Sequence, residues 1–281
     1  MLQVYHFVLI AFIALIVGTI GVITGFGGGV LLVPILSMFF GVDIYIIVGS
    51  VLMTLFIPAF VGGIEAIKRK EVDYLVTITF SIPAGVGTFV GAYFSEYLTE
   101  FQIRLIISIL ATILSGSMFI RVWRNKQNGT TTPGQKIWQK IARLPPAFKV
   151  KRGEHKYIIS LPVYLIFGLL VGLLSGFLGI SGGWIQSPLF ILGFGVPPAI
   201  ATGTSLLIVI VKSLVGGFTH ITEGHFYWQL FLTLAVSLPL GAAVGNRIKR
   251  KMNDNHISVF IACSLLLVAV TLTLYFIITG F

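Results

Sequence analysis

The chain has 281 residues, of which 56% are hydrophobic and 10% charged, with a mean hydropathy of +1.00 and a formal net charge of +10. Soluble domains carry roughly 25% charged residues, so a water-soluble globule is excluded. The apolar runs are continuous rather than alternating, which excludes a membrane β-barrel and leaves an all-α integral membrane protein.

A helix needs about 20 apolar residues to cross a bilayer core. In chain order, helical segments are predicted over 4–23, 29–40, 44–67, 74–94 and 103–122. The first lacks a basic leading region and a small-residue cleavage site, so it reads as a retained helix rather than a signal peptide. The second is short and begins in the glycine cluster TGFGGGVLLVP, Thr24–Pro34. A polar stretch, 125–156, contains Pro133, Pro145 and Pro146 and reads as a solvated tether. Within it, Gln135–Leu144 has the pattern of a short basic amphipathic helix suited to anionic lipid. Five further segments follow over 157–177, 184–195, 198–221, 227–246 and 257–279, and the second is again short, beginning in LGISGGWIQSP, Leu178–Pro188. Whether 29–40 and 184–195 span or re-enter stays open. The single cysteine, Cys263, lies in an apolar run, so no intrachain disulfide is possible.

The chain repeats at an offset of 154 residues. Pro34 falls on Pro188, Gly18 on Gly172, Gly25 on Gly179, Gly28-Gly29 on Gly182-Gly183, Gly41-Val42 on Gly195-Val196, Gly49 on Gly203, and Val61-Gly62-Gly63 on Val215-Gly216-Gly217. Ser81-Ile-Pro83-Ala-Gly85 matches Ser237-Leu-Pro239-Leu-Gly241 if two residues are inserted. The expected organisation is a first transmembrane repeat, 1–124, a basic linker, 125–156, and a second repeat, 157–281.

Five segments per repeat is an odd number, so the second repeat is expected to be inverted. Charge placement agrees. Lys68–Lys70, the stretch Arg121–Lys156 and Arg247–Lys251 hold 17 of the 19 Lys and Arg residues, while 95–102 and 222–226 carry Glu96, Glu100 and Glu223 and no Lys or Arg. Cytoplasmic loops are the basic ones. Both termini are therefore expected outside the cell membrane and the linker in the cytoplasm. The basic excess reports topology, and no nucleic-acid partner is expected.

Glycine runs that break a helix inside lipid leave backbone N–H groups without partners, tolerable only where protein, water or ligand meets them. A helix start carries up to four such N–H groups at the positive end of its dipole, and so binds anions. Interrupted segments at matching places in inverted repeats mark a transport site near the bilayer midplane. The candidate substrate-binding residues are accordingly Thr24, Gly25, Gly27, Gly28 and Gly29 in the first repeat and Gly179, Ser181, Gly182, Gly183 and Gln186 in the second, with Thr204, Ser205 and Lys212 on the next span. Lys212 is the basic residue deep in a predicted span, a placement that costs about 2.5–3.5 kcal/mol on insertion scales, and reads as a fixed positive charge facing an anion. Ser50, Thr54 and Thr202 are secondary polar candidates, and Glu65 and His220 lie near span ends.

At these residues the chain resembles the sulfite exporter TauE/SafE family. The resemblance rests on G-F-G-G-G-x-x-x-x-P at Gly25–Pro34, its twin G-I-S-G-G-x-x-x-x-P at Gly179–Pro188, and the basic central loop, and it covers essentially the whole chain. It implies an integral membrane transporter of a small sulfur-containing anion such as sulfite, a sulfonate or a related organic anion. The chain departs from its own symmetry at Ser181 and Trp184, where the first repeat has Gly27 and Val30. The expected function is secondary transport by alternating access, with a small anion and a coupling proton or sodium ion as partners, no cofactor and no catalysis. Two alternatives are an anion channel and an intramembrane serine protease using Ser181 and His220.

Overall fold

The computed structural model describes residues 4–127, 144–152 and 155–279. Its first half runs α1 (Val4–Thr24), α2 (Gly29–Phe39), α3 (Ile44–Thr54), α4 (Phe56–Lys68), α5 (Tyr74–Tyr93), a 3-10 turn (Ser95–Tyr97) and α6 (Glu100–Gln127). A hairpin of β1 (Ala147–Arg152) and β2 (His155–Ser160) follows, then α7 (Leu161–Leu178), α8 (Gly183–Leu192), α9 (Pro198–Thr222), α10 (Trp228–Lys249) and α11 (Asp254–Thr279). Among the described residues, eight helical spans are long and apolar enough to cross a membrane: α1, α3 with α4, α5, α6, α7, α9, α10 and α11. The short helices α2 and α8 are the two that begin in glycine clusters.

Two expectations need correction. The stretch read as a tether holds an antiparallel hairpin with Ala147 opposite Ser160 and Val150 opposite Tyr157, so the second repeat's first helix starts at Leu161 rather than 157. The Tyr157 hydroxyl donates to Asp73 Oδ2, tying the hairpin to the start of α5. The segment expected over 44–67 is divided at Leu55. Pro58 has no N–H to give the Thr54 carbonyl, which removes one bond of the helical ladder there. Gln135–Leu144, the stretch with an amphipathic-helix pattern inside the expected tether, lies, apart from Leu144, outside the described residues.

Glycines set the helix packing. Along α5 and α7, Gly168 meets Phe80, Gly172 meets Ala84 and Gly176 meets Thr88, so the two helices run in the same direction with backbones in contact. Along α1 and α10, Gly241 meets Leu15 and Gly245 meets Thr19, again in the same direction, and Thr19 Oγ1 donates to the Gly241 carbonyl at 3.0 Å. Helices α6 and α11 run antiparallel, joined by Arg104 to Tyr275, Ser108 to Thr273 and Ser115 to Ala262. Close packing of small residues is the usual basis of helix association in lipid.

These contacts recur at the 154-residue offset. Gly18 sits on the Leu238 carbonyl, and Gly172 on that of Ala84; Gly49 sits on the His225 carbonyl, and Gly203 on that of Glu71. The Ser50 hydroxyl accepts from Tyr227 N, and the Thr204 hydroxyl from Asp73 N. The equivalent of Gly241 by contact is Gly87, because each meets the backbone of the partner repeat's first helix. The two-residue insertion expected between Ser81–Gly85 and Ser237–Gly241 is therefore absent, and the offset of 154 continues through α5 and α10.

Lys68–Lys70 and Arg247–Lys251 share one end of the bundle. There Lys249 Nζ lies 3.2 Å from Glu71, and Arg69 reaches Glu65 at 3.3 Å and the Asn246 carbonyl at 3.2 Å. The opposite end gathers His225 with Glu96 at 3.2 Å and Arg104 with Glu100 at 2.7 Å. Helix α9 passes between them and touches α1, α3, α4, α5, α7, α8 and α11, which makes it the central element.

Candidate functional site

Both glycine clusters bend the chain in the same way. Gly25, Gly27 and Gly28 have φ of 76°, 77° and 107°, and Gly179 and Gly182 have 62° and 65°. These values lie in the left-handed region, where a side chain is strained and glycine is not. Gly28 and Gly182 are the caps before α2 and α8, and neither receives a side-chain hydrogen bond at its helix start. Among the described residues, the amides of Gly28, Gly29 and Val30, and of Gly182, Gly183 and Trp184, meet no acceptor. Each short helix thus presents three unpaired N–H groups in a fully buried setting.

The two turns lie against each other. A Cβ at Gly183 would overlap the Gly25 carbonyl and Phe26, and Ser181 Oγ donates to the Phe26 carbonyl at 2.8 Å. Ser205 Oγ, from α9, donates to the Gly25 carbonyl at 2.9 Å. Gln186 Nε2 then donates to Ser205 Oγ at 2.6 Å, and Lys212 Nζ donates to Gln186 Oε1 at 2.8 Å. A polar chain therefore runs from the first turn's carbonyl, through α9 and α8, to the ammonium.

Lys212 is fully buried, yet no ion pair among the described residues includes it. Its Nζ stands 2.7 Å from where a Cβ on Gly182 would lie, beside the positive end of α8. An ammonium and a helix N-terminus side by side reinforce one positive potential. A buried ammonium is costly without a counter-charge, and an anion bound in this corner would supply one.

Most of the expected residues meet here: Gly25, Gly27, Gly28, Gly29, Gly179, Ser181, Gly182, Gly183, Gln186, Ser205 and Lys212. Thr24 adjoins them, its hydroxyl donating to the Ile20 carbonyl at 2.9 Å. Thr204 does not join, because its hydroxyl accepts from Asp73 N at the start of α5. Ser50 plays the matching part at Tyr227, while Thr54 and Thr202 donate to carbonyls of their own helices. His220 is fully buried rather than interfacial, with Nε2 3.3 Å from the Gly176 carbonyl. Ser181 and His220 are each engaged with a different carbonyl, and no hydrogen bond joins them.

Of two further polar groups at the site, Ser187 escaped the sequence reading and Trp184 entered it only as a departure from the repeat symmetry. Ser187 Oγ faces Gly25 from α8, and Trp184 carries an indole N–H; both residues are fully buried, and both polar atoms lack partners. A signal was present, since the residues 154 positions earlier are Val33 and Val30. Polar atoms in one repeat where the other is apolar are not needed for the shared fold.

Comparison with known proteins finds similarity across most of the chain. The family model described as "Sulfite exporter TauE/SafE" matches residues 10–272. The "Probable membrane transporter protein YunE" of Bacillus subtilis (strain 168) is 29% identical over 270 residues, covering 93% of this chain and 95% of that protein. The "Probable membrane transporter protein MamO" of Magnetospirillum gryphiswaldense is 27% identical over 251 residues, 83% of this chain and 39% of that protein. The "Sulfite exporter TauE/SafE family protein 3" of Arabidopsis thaliana is 28% identical over 102 residues, 36% of this chain and 21% of that protein. No solved structure matches the chain.

Proposed function

The chain belongs to the TauE/SafE sulfite exporter family of membrane transporters, and from that premise we propose that it carries a small sulfur-containing anion across the cell membrane by alternating access. The anion sits between the two glycine turns. The unpaired amides of α2 and α8 and the Lys212 ammonium hold its oxygens, with Ser181, Ser205 and Gln186 positioning the turns and the ammonium. The observation that carries this reading is Lys212: a fully buried amine, beside a helix N-terminus, whose one hydrogen bond among the described residues is to a neutral amide oxygen.

The proposed architecture is ten segments in two inverted repeats, with α2 and α8 as interrupted elements between full spans. The parallel pairs α1–α10 and α5–α7, the antiparallel pair α6–α11 and the contacts repeated at 154 residues support it. A two-fold axis in the membrane plane generates those relations. With the basic end cytoplasmic, both termini lie outside, and one half rocks against the other around α9. A proton or sodium ion supplies the driving force.

Flux in proteoliposomes tests the substrate. Sulfite, thiosulfate or a short sulfonate is expected to exchange saturably, and the rate is expected to respond to an imposed proton or sodium gradient. Absence of flux for all three, in folded and inserted protein, overturns the substrate class. Single cysteines in place of Leu98 and Met252 test the topology: an impermeant thiol reagent is expected to reach them from opposite faces, and labelling from the same face contradicts the inverted plan.

A further inference from the structure

The 154-residue relation also connects two corners at opposite ends of the bundle, and they are not filled alike. At the acidic end, Arg104 on α6 donates to Glu100 at 2.7 Å and to the Tyr275 hydroxyl at 3.1 Å, with its guanidinium 4.9 Å over the Tyr275 ring. Glu100, Arg104 and Tyr275 correspond to Asp254, Ser258 and Arg121 at the basic end. A serine thus stands where the other corner has its arginine, and the arginine stands where the other has its tyrosine.

The exchange leaves space. A cavity of about 180 Å³ lies between the later turns of α6, the α8–α9 connection and the start of α11, lined by Arg121, Gly195, Pro197, Asp254, Asn255 and Ser258. Asp254 Oδ1 accepts from Ala199 N at 3.0 Å, and Ser258 Oγ donates to the Asp254 carbonyl at 2.9 Å. Arg121 Nη1 is buried and has no hydrogen-bond partner. Arg121 and Asp254 line one cavity, yet no ion pair joins them. Two opposite charges held apart across a small space complement a ligand that carries both signs. Arg121 lies within the last turn of the span Glu100–Arg124, where lipid headgroups meet the protein.

We propose that this cavity binds a phosphoethanolamine zwitterion, its phosphate on Arg121 and its primary ammonium on Asp254. Guanidinium recognises phosphate through charge-assisted hydrogen bonds, and a primary ammonium donates to carboxylate where a quaternary one cannot. The source is either the headgroup of a membrane phosphatidylethanolamine or the free phosphomonoester, and the site is separate from the glycine turns.

Native mass spectrometry of the full-length protein tests this, after challenge with equal amounts of phosphatidylethanolamine, phosphatidylcholine and phosphatidylglycerol, and separately with free O-phosphoethanolamine. Retention of the ethanolamine lipid over the other two supports the lipid source; binding of the free compound alone assigns the same chemistry to a soluble ligand. Asp254→Asn keeps an oxygen for Ala199 N but loses the charge, and is expected to lower the preference for ethanolamine over choline about tenfold, or ~1.4 kcal/mol. Arg121→Gln is expected to lose retention of either ligand. Ser258→Arg reproduces the filled corner seen around Arg104, and is expected to abolish binding while the unfolding temperature holds. Equal retention of phosphatidylglycerol, unchanged binding in Ser258→Arg, or no binding of either probe overturns the proposal.

Discussion

Around the break at Gly25–Gly29 stand Gly27, Leu32, Val33, Val51 and Pro58; at the same places around Gly179–Gly183 stand Ser181, Gln186, Ser187, Ser205 and Lys212. The backbone is shared: left-handed glycine caps, a short helix with a proline at its sixth residue, and unpaired amides at its start. The side chains are opposite in character. Position 58 removes a hydrogen bond and divides its span into α3 and α4, whereas position 212 leaves α9 continuous and places a charge in it. One copy of the turn has the ionic and hydrogen-bonding groups around it, and the other lies beside a span whose helical ladder is broken. Under the proposed transport cycle, the second repeat's turn selects the anion and the first repeat's span bends.

The comparison breaks most severely if both backbones are altered. Gly28→Leu with Gly182→Leu puts side chains at left-handed φ, against Val17 in one repeat and Lys212 in the other. Transport is expected to vanish while the protein still inserts, as read by flux and by labelling of reconstituted protein. Normal rates would mean the glycines only pack. Next is Lys212→Met, which removes the charge but keeps the bulk. Loss of a charged hydrogen bond is worth about 1.5–3 kcal/mol, so substrate affinity is expected to fall roughly 10- to 150-fold, with no loss of thermal stability because a buried unpaired charge is also removed. Gln186→Leu copies the first repeat's Leu32 into the second. It leaves Lys212 without its amide partner, and an affinity loss of about tenfold, ~1.4 kcal/mol, is expected. The smallest effect belongs to the other repeat: Pro58→Ala restores a donor for the Thr54 carbonyl. It is expected to slow turnover about two- to fourfold, under ~1 kcal/mol, with substrate affinity unchanged in an equilibrium binding assay.

The helices and the glycine turns were legible because both signals are strong in lipid. Apolar runs of spanning length have one stable form there, and a glycine cluster in such a run has few uses. The register of α5 against α10 was not legible, because Ser-x-Pro-x-Gly occurs in both helices two residues out of the register that their contacts follow. The contacts that matter are at Gly87 and Gly91, where the absence of a Cβ lets the α7 backbone approach. The hairpin was missed although Phe148 and Val150, then Tyr157 and Ile159, alternate as a strand does; its Lys- and Arg-rich surroundings suggested a tether. Thr204 and Ser205 are neighbours in sequence but point to different partners, Asp73 N and the Gly25 carbonyl. Nothing local in the sequence separates them. Ser187 was readable only by asking which positions are polar in one repeat and apolar in the other.

The central claim is that an anion rests on Lys212 and the paired helix starts. The most direct measurement is equilibrium binding of sulfite, thiosulfate and a short sulfonate to detergent-solubilised protein, wild type beside Lys212→Met and Gly182→Leu. The account predicts saturable binding of at least one anion, weakened by roughly 10- to 150-fold in Lys212→Met and lost in Gly182→Leu. Equal affinity in all three proteins would contradict it.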